Sequence, residues 1–385
     1  MGNGILLSNG EEHTKKKRLI LPSLDSKSLT GFVYIMENVA VEVTETLSGR
    51  VNVTDSMTTL AMDIVGLCLF SQGCSDKGSG ETNVVKLIGE CHDHMIYRDG
   101  HPLSPPLWVP TRRNRRFRRN RKQLNKYIYS FIEEGRKRSG SESQQKDLLQ
   151  MLLTAEYEGT GSGLSDQELR DEVMTLFLAG HETSALALSF ALWYLSDPQN
   201  SHWQDKIAQE YQQIQASGGF TASVLQDGEA MKHTRAVLCE TLRINGPVWA
   251  IDREVKESVM LPCGYQVKKG SILFVPNFAM HLKESVFEDP SSFKPERFLT
   301  WKKDPWDGPY DRSQYLPFAS GRRRCIGVRF AQWEMLVALS TIISRVQPSR
   351  LPGQDNLPCV PGITLRPKPG YQLDFTARKT VPRGV

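Results

Sequence analysis

Apolar positions recur at helical spacing along much of this chain, and the longest such stretch lies near its middle. It follows Ser165-Asp-Gln-Glu168, in which the serine and the glutamate are placed to bond each other's backbone N–H groups at the start of a helix. It ends at Ser196-Asp-Pro198, because proline cannot continue a helix. The pattern predicts a helix of about thirty residues that is apolar on most faces and therefore buried.

The same pattern predicts further helices and two groups of short strands. The helices are expected at residues 124–131, 225–245 and 326–344, and the strands near 248–275 and 359–376. Helical segments far outweigh strands in this assignment. We therefore expect a mainly α fold with small antiparallel β-sheets.

A chain of 385 residues with 39% hydrophobic and 24% charged residues can build a large core, which argues against a largely disordered protein. Length alone would allow two or three domains, but we interpret residues 1–385 as one domain. No apolar run reaches the roughly 18 residues of a membrane span, since Asp63 interrupts the best one, Leu60–Phe70. The first residues lack the basic start and long apolar centre of a signal peptide.

Cysteine content and charge exclude several other classes of protein. The seven cysteines are odd in number, scattered and without Cys-x-x-Cys spacing, so they indicate neither a disulfide framework nor a zinc site. They favour a reducing compartment. The net charge of +5 is mildly basic, well short of the excess expected of a dedicated nucleic-acid-binding protein.

One segment carries a distinctive chemistry: Phe318-Ala-Ser-Gly321-Arg-Arg323-Arg-Cys325-Ile-Gly327. It places a single thiol between a glycine turn and the start of a predicted helix, where the helix dipole is expected to favour the thiolate and lower the pKa of the thiol. Gly321 allows a tight, otherwise strained turn, and Gly327 lets a flat group approach the backbone closely. Arg323 adds a positive charge two residues before the sulfur. A lone cysteine beside basic residues is otherwise a small buried hydrophobe or an inert surface thiol.

The spacing Phe-x-x-Gly-x-Arg-x-Cys-x-Gly resembles the haem-binding loop of the cytochrome P450 family at all five specified positions. The resemblance implies the cytochrome P450 fold and a haem b whose iron takes Cys325 as its axial thiolate ligand. It also implies that the haem site includes Phe318, Gly321, Arg323 and Gly327.

The middle of the long helix reads Ala179-Gly180-His181-Glu182-Thr183-Ser184. A mid-helix glycine costs about 1 kcal/mol relative to alanine, and a buried glutamate is unfavourable unless it is paired or hydrated. The threonine is placed to bond the carbonyl four residues back and bend the helix, which would open a groove for a small ligand. On the residues alone, a tolerated glycine and an acid facing water explain the pattern equally well.

This hexapeptide resembles the oxygen-binding stretch of the same family. The resemblance implies catalytic roles for Glu182 and Thr183, which would manage the protons delivered to dioxygen. It also places Ala179 and Gly180 against the haem. Loss of Thr183 is then expected to uncouple electron consumption from product formation.

Two arginines and a glutamate are expected to form a structural cluster. Glu240 and Arg243 are three residues apart on a predicted helix and share one of its faces, while Arg297 lies in Phe293-Lys-Pro-Glu-Arg-Phe298. A solvent-exposed pair of this kind contributes little to stability. The two motifs, however, resemble the Glu-x-x-Arg and Pro-Glu-Arg-Phe elements of the family. The resemblance implies a Glu240–Arg243–Arg297 triad that locks the loop carrying Cys325.

Cations for the haem propionates are implied by the resemblance at four positions: His13, Lys17, Arg253 and Arg323. The first two lie on an early helix, expected from Gly10 to Pro22, and stand where the family more commonly has tryptophan and arginine. Lysine cannot form the bidentate fork of arginine. Each of the four could equally be a solvated surface charge.

The run Arg112-Arg-Asn-Arg-Arg-Phe-Arg-Arg-Asn-Arg-Lys122 is the main argument for a different class of protein, because such a run can grip the phosphates of a nucleic acid. Helical periodicity continues after it, which favours a solvated helix face. The preceding Pro105-Pro-Leu-Trp-Val-Pro110 suits peripheral contact with an anionic membrane surface. A second basic patch, Lys15–Arg18 with Arg322 and Arg324, is either ordinary surface charge or a docking site for an acidic electron donor.

The resemblance spans the chain but begins inside the usual fold, since residues 10–22 correspond in character to the third helix of the family. We therefore expect a cytochrome P450 domain that lacks the family's first helices and strands, as a fragment, an alternative start or an incomplete gene. For the complete protein the resemblance implies the cytoplasmic side of a membrane, the endoplasmic reticulum in a eukaryote. No anchor is visible in this chain.

The expected function is insertion of one atom of O2 into an apolar organic substrate, by hydroxylation or epoxidation. No flavin or nicotinamide motif is visible, so electrons from NADPH would arrive through a separate reductase or ferredoxin. Substrate contacts are expected just before Glu182, at Val248–Ile251 and near Ile363. The alternatives are a truncated non-catalytic relative, a haem-thiolate isomerase or peroxygenase, and a haem-free basic protein that binds membranes or nucleic acid. The presence of both Glu182 and Thr183 disfavours the isomerase or peroxygenase.

Overall fold

The computed structural model describes residues 2–73, 84–138, 147–157, 159 and 161–379. Most of these residues are helical, and short antiparallel strands make up most of the remaining regular structure. The mainly α fold with small antiparallel sheets that the sequence predicts is therefore confirmed. Cys74 lies outside the described residues.

The helices carry most of the core. In chain order they are α1 (Gly10–Ile20), α2 (Ser26–Leu29), α3 (Val33–Glu45), α4 (Val53–Phe70), α5 (Val84–Asp99), α6 (Arg112–Arg138), α7 (Leu148–Leu153), α8 (Asp166–Leu195), α9 (Ser201–Ala216), α10 (Ala222–Gln226), α11 (Lys232–Asn245), α12 (Asn277–His281) and α13 (Val328–Arg345). Short 3-10 turns occur at Leu21–Leu24, Thr30–Phe32, Pro198–Asn200, Pro295–Phe298 and Gly321–Arg323.

The strands form small sheets in which every pairing is antiparallel. They are β1 (Gly49–Asn52), β2 (Ile251–Glu254), β3 (Val259–Met260), β4 (Gln266–Val267), β5 (Ile272–Val275), β6 (Val346–Ser349), β7 (Cys359–Pro361), β8 (Leu365–Pro367) and β9 (Gln372–Ala377). Strand β9 lies between β1 and β6, while β2 pairs with β5, β3 with β4 and β7 with β8. The two regions predicted to hold strands are thus confirmed.

Helix α8 forms the centre of the core and is packed against α4, α11 and α13. The predicted capping box is present: Ser165 N–H donates to the Glu168 carboxylate at 2.9 Å, and Glu168 N–H donates to Ser165 Oγ at 3.3 Å. The helix runs for 30 residues and ends before Pro198, as predicted. Gly180 lies against Val65 of α4, where an added Cβ would come within 3.2 Å of that side chain. Glycine therefore lets the two helices approach closely at this point.

Helices α4 and α8 are long and apolar enough to cross a membrane by length and composition, although the sequence pattern predicted no such stretch. Of the apolar window in each helix, 61% and 67% respectively is buried inside the protein. Core helices of soluble proteins pass the same test, and the burial of α4 and α8 is that of core helices.

Two predicted helices begin later than expected. The helix expected from residue 225 begins at Lys232, as α11, because the Asp227 carboxylate accepts the backbone N–H two residues on and turns the chain. Gly228 fills the turn, where a Cβ would collide with the Trp301 ring at 2.5 Å. The helix expected from residue 326 begins at Val328, as α13.

Candidate functional site

The loop before α13 presents Cys325 in a defined backbone conformation. The N–H of Cys325 donates to the carbonyl of Phe318 at 3.0 Å, and the N–H of Arg324 donates to that of Gly321 at 3.1 Å. Gly321 has a φ of +70°, and Ala319 a φ of +56°. Both lie in the left-handed region, which glycine adopts without strain at position 321 and alanine adopts only with strain at position 319. The two hydrogen bonds close a compact loop with the thiol at its end.

The Cys325 thiol keeps solvent-accessible surface, although protein atoms crowd around it. This burial raises the pKa of the Cys325 thiol above its ordinary value, and the N–H of Gly327 and the charge of Arg324 oppose the rise only in part. The lowered pKa expected from the sequence is therefore wrong for the protein alone. Helix α13 begins three residues beyond the sulfur, so desolvation outweighs its dipole.

The middle of α8 and the Cys325 loop both face open space. Ala179 is exposed although most of α8 is buried, and Thr183 is half-buried. A Cβ built on Gly327 would meet no atom within 4 Å. Helix α8 carries Ala179 and Thr183, and α13 follows the Cys325 loop. The two helices are in contact, with Ser184 of α8 beside Glu334 of α13. From these uncovered residues we infer a cleft between α8 and the loop, with room for a flat group at Gly327.

Thr183 is held at this cleft by its own helix. Its Oγ1 donates to the carbonyl of Ala179 at 3.1 Å, which is the bond predicted from the sequence. Helix α8 continues through this bond without interruption. The hydroxyl oxygen still has acceptor capacity, so Thr183 can take part in a further hydrogen bond.

Glu182 is ion-paired. Its Oε1 accepts hydrogen bonds from Arg366 Nη2 at 2.6 Å and Arg366 Nε at 3.1 Å, and also from the hydroxyl of Thr364. Both partners belong to the β7–β8 hairpin and are 182 and 184 residues away in the chain. Sequence reasoning missed both residues, because the hairpin showed only a strand pattern there.

The structure brings Glu240, Arg243 and Arg297 together. Arg243 donates from Nε and Nη2 to the two Glu240 carboxylate oxygens at 2.7 Å each, and Arg297 Nε lies 3.3 Å from Glu240 Oε1. The side chains of Glu240 and Arg243 are fully buried, so the alternative of a solvent-exposed pair is wrong. Arg243 also donates to the carbonyls of His281 and Pro290, at 2.9 and 2.8 Å.

His281 connects this buried cluster to the Cys325 loop, and the sequence carried no signal for it. Its carbonyl accepts from Arg243, and its Nε2 accepts the N–H of Leu316 at 2.8 Å, two residues before Phe318. Burial lowers the pKa of His281 to about 4, so the ring is neutral and its Nε2 can accept. The cluster is thus joined to the loop by direct hydrogen bonds.

Three of the four implied propionate cations lie together. Arg323 Nη2 donates to the carbonyl of Ser8 at 2.6 Å, and Lys17 Nζ donates to a carbonyl of the Cys325 loop at 2.7 Å. Burial, and then the charges of Arg323 and Lys17, lower the pKa of the neighbouring His13. Arg253 is exposed on β2 and donates to the carbonyl of the preceding residue at 2.6 Å, so its contacts do not bring it to the other three.

The two basic surfaces differ in how many of their charged side chains are exposed to solvent. Helix α6 exposes Arg112, Arg113, Arg115, Arg116, Arg118, Arg119, Arg121 and Lys122. Trp108, in the loop before it, is 77% exposed. In the second patch Lys16 does not belong to the surface: it is 1% exposed and lies 3.0 Å from Glu12 and 3.4 Å from the buried Glu172. The remaining members of that patch include Lys17, which contacts the Cys325 loop.

Comparison with known proteins agrees with this geometry. The sequence model of the family described as cytochrome P450 matches residues 1–375. A cyclooctat-9-en-7-ol 5-monooxygenase of Streptomyces melanosporofaciens is 30% identical over 356 residues, which are 92% of this chain and 74% of the relative. Cytochrome P450 4F6 of Rattus norvegicus is 28% identical over 406 residues, 99% of this chain and 73% of the relative.

A third relative combines two activities in its name. The bifunctional cytochrome P450/NADPH–P450 reductase 2 of Bacillus subtilis is 27% identical over 403 residues, which span all of this chain and 36% of the relative. The chain belongs to the cytochrome P450 family, and its fold is the cytochrome P450 fold. Membership in this family implies an oxidoreductase of the monooxygenase type that uses haem iron.

Proposed function

We propose that this chain is a haem-thiolate monooxygenase that inserts one oxygen atom of O2 into an apolar organic substrate. The observation that carries the proposal is the cleft between the middle of α8 and the Cys325 loop. We place this cleft where α8, which holds the Thr183 hydroxyl, packs against α13, which follows the accessible Cys325 thiol. The reaction consumes two electrons and two protons for each oxygen atom inserted, and the second oxygen atom leaves as water.

The residues of this cleft suit a haem. The open face of Gly327 and the exposed Ala179 leave space for a flat group, and Cys325 would supply its thiolate ligand. The propionates would take positive charge from Arg323 and Lys17 and a hydrogen bond from His13, while Arg253 would approach them from β2, apart from the other three. Phe318 and Gly321 would shape the surrounding walls, whereas Gly180, which the motif also places against the haem, lies against Val65 of α4. Haem iron, when bound, supplies the chemistry that activates dioxygen.

Glu182 and Thr183 would move the protons. The Thr183 hydroxyl is held at the cleft by its bond to Ala179 and can both donate and accept. Glu182 is its neighbour in the chain and provides a carboxylate close to the same surface. Without Thr183, electrons would still be consumed, but they would be released as peroxide and not used to form product.

An apolar substrate is supported by the side chains that remain uncovered near the β7–β8 hairpin. Val248 is 38% exposed and Ile363 is 55% exposed. Trp249, which follows Val248 in the chain, donates its indole N–H to the carbonyl of Gly362 at 2.9 Å. Apolar walls with few free polar groups favour hydroxylation or epoxidation of a hydrocarbon portion of the substrate.

The electrons would come from NADPH through a separate reductase or ferredoxin. The Bacillus subtilis relative carries a reductase in its own name and extends well beyond its match to this chain, which covers 36% of it. Lys17, Arg322 and Arg324 put positive charge on and beside the Cys325 loop, where it would attract an acidic donor.

For location, peripheral contact with the cytoplasmic side of a membrane is supported by the exposed Trp108 and Leu103 beside the arginines of α6. Binding to vesicles that contain anionic lipid should weaken with added salt. Equal salt dependence for neutral vesicles would contradict this contact.

The experiment for the proposed function is the absorption spectrum of the reduced, carbon-monoxide-bound protein expressed with haem available. A strongly red-shifted Soret band is expected, with its loss in Cys325→Ala and its retention in Cys263→Ala, which removes another exposed cysteine. Turnover with NADPH and a reductase then separates a monooxygenase from an inactive relative that only binds haem.

A further inference from the structure

The carboxylate of Glu182 is bound by the β7–β8 hairpin. Three hydrogen bonds, two from Arg366 and one from Thr364, converge on one oxygen, Oε1. Arg366 Nε also lies 3.2 Å from Thr364 Oγ1, so the two hairpin residues support each other. The Glu182 and Arg366 side chains are 18% and 32% exposed, and therefore largely shielded from solvent. This pair is better shielded than an ordinary surface pair.

The turn of the same hairpin lies among the residues that we expect to meet substrate. The carbonyl of Gly362 accepts the Trp249 indole N–H at 2.9 Å, and a Cβ on Gly362 would lie 3.6 Å from Ile96 of α5. The next residue, Ile363, is 55% exposed, whereas Thr364 is 6% exposed. One short turn therefore joins an uncovered apolar side chain directly to a residue that holds Glu182.

An ion pair of this kind fixes the carboxylate in one place. For Glu182 to pass a proton towards Thr183, its bonds to Arg366 and Thr364 must loosen or reorganise. A shift of the Ile363 turn would move Thr364, the adjacent residue, and with it the anchor of the ion pair. The hairpin thus has the geometry to transmit contact at the turn to the acid on α8.

We propose that Arg366 and Thr364 are positioning residues for Glu182, and that the β7–β8 hairpin releases Glu182 when an apolar substrate presses on Ile363. The inference rests on the proposed function, because it assigns Glu182 its role in proton transfer. With the cleft empty, the paired Glu182 limits the supply of protons and so limits wasteful oxidation of NADPH. Substrate loosens the pair at the time when protons are needed.

The first test is hydrogen exchange of the backbone amides of residues 359–367 in the haem-loaded protein, with and without N-dodecylimidazole. This probe ligates haem iron through its ring and fills the cleft with an apolar tail. In the wild type the probe should increase exchange in the hairpin. Arg366→Gln should exchange faster without the probe and respond little to it. Arg350→Gln, which breaks a comparably shielded pair with Asp197 at 2.9 Å, should behave as the wild type.

The proposed coupling between the Ile363 turn and Glu182 would be overturned if hydrogen exchange of the wild-type hairpin did not change after the probe had bound. It would also be overturned if the hairpin of Arg366→Gln exchanged at the wild-type rate without the probe. Binding itself is monitored by the shift of the Soret band. A protein without haem, or without that shift, overturns the proposed function, and the coupling falls with it. The two failures are therefore distinguishable.

The second test asks whether Arg366 acts through Glu182. Without substrate, each NADPH oxidised through the reductase passes two electrons to O2, which leaves as H2O2 after taking up two protons. Arg366→Gln should raise this substrate-free rate severalfold, and Glu182→Gln/Arg366→Gln should return it to the rate of Glu182→Gln alone. An equal rise from Arg366→Gln in the Glu182→Gln background would show a merely structural role.

Discussion

At the scale of single residues, two glycines of the Cys325 loop have different roles. Replacing each of them by alanine should separate these roles. Gly321 has a φ of +70°, and no atom lies within 4 Å of an added Cβ. Gly327 also has open space for a Cβ but no positive φ. One glycine is thus required by the backbone, and the other leaves room for a ligand.

We expect Gly321→Ala to lower the free energy of unfolding by about 1–2 kcal/mol, since alanine is strained in the left-handed region. Gly327→Ala should leave the stability of the haem-free protein nearly unchanged and weaken haem binding, because its methyl group would occupy the space of the flat group. Urea unfolding and haem titration measure the two effects. The reverse assignment, with stability lost in Gly327→Ala only, would refute this account of the loop.

Glu334 is an acid enclosed in the core. It is fully buried, and among the described residues neither of its carboxylate oxygens has a hydrogen-bond partner. Burial raises the pKa of Glu334 from 4.5 to about 8, and the nearby Ser184 hydroxyl opposes the rise only in part. Burial raises the pKa of the Cys68 thiol of α4, and the nearby Glu334 adds to this rise. The carboxyl group is therefore neutral at ordinary pH.

This gives a pH dependence of stability with a definite sign. The folded-state pKa of Glu334 lies above the unfolded value, so its contribution is complete below pH 4.5 and is lost as the pH rises towards 8. The slope from one such group is at most about 1.4 kcal/mol per pH unit. Glu334→Gln should flatten the fall in unfolding free energy between these two pH values. Glu257→Gln, at an exposed position, should not, and a wild-type slope in Glu334→Gln would contradict the assignment.

At the scale of elements, the buried cluster of Glu240, Arg243 and Arg297 fastens α11 to the chain that leads to the Cys325 loop. Arg243 bonds the carbonyls of His281 and Pro290, and His281 in turn holds the backbone of Leu316. Because the charges of Glu240 and Arg243 are fully buried, each depends on the other for solvation. The cluster therefore joins these elements, and we propose that its role is structural.

Glu240→Gln should destabilise the protein by about 3–5 kcal/mol, because it leaves buried guanidinium charge without its counterion. The matched control is Glu254→Gln, which removes an exposed partner of Lys256 and should change stability by less than about 0.5 kcal/mol. Urea unfolding of both variants makes the comparison. Similar small losses in the two would show that the cluster does not hold these elements together.

The sequence predicts those elements whose ends have local chemical signals. Helix α8 could be placed because Ser165 and Glu168 cap it and Pro198 ends it. The start of α11 could not, because the turn at Asp227 depends on Gly228 fitting against Trp301, which is far away in the chain. Local pattern therefore defines where many helices run but not where packing interrupts them.

Many residues of the candidate site could be proposed from the sequence because they also lie in short local motifs. The contacts that could not be predicted join residues far apart in the chain. Cys325, with its glycine turn, and Thr183, with its bond to Ala179, sit in motifs that are complete within a few residues. The partner of Glu182 could not be found, because Arg366 lies 184 residues away. The run of basic residues around Lys16 predicts a surface position for it. In the structure Lys16 is buried and pairs with the buried Glu172, which is far away in the chain.

At the scale of the whole molecule, we propose that the positive charge at the Cys325 loop attracts an acidic electron donor. Arg322→Gln/Arg324→Gln should slow association with an acidic donor about tenfold at low salt, and the difference should shrink as salt screens it. Stopped-flow reduction measures this rate. Arg118→Gln/Arg121→Gln removes the same charge from α6 and serves as the control. Equal slowing by the two double variants would mean that only net charge matters.

The central claim is that Cys325 holds a haem as its thiolate ligand in the cleft beneath α8. The most direct measurement is the spectrum of the reduced, carbon-monoxide-bound protein, compared between the wild type, Cys325→Ala and Cys263→Ala. We predict a strongly red-shifted Soret band that disappears in Cys325→Ala and persists in Cys263→Ala. A protein that takes up no haem, or one whose band is typical of histidine or neutral-thiol ligation, would contradict the account.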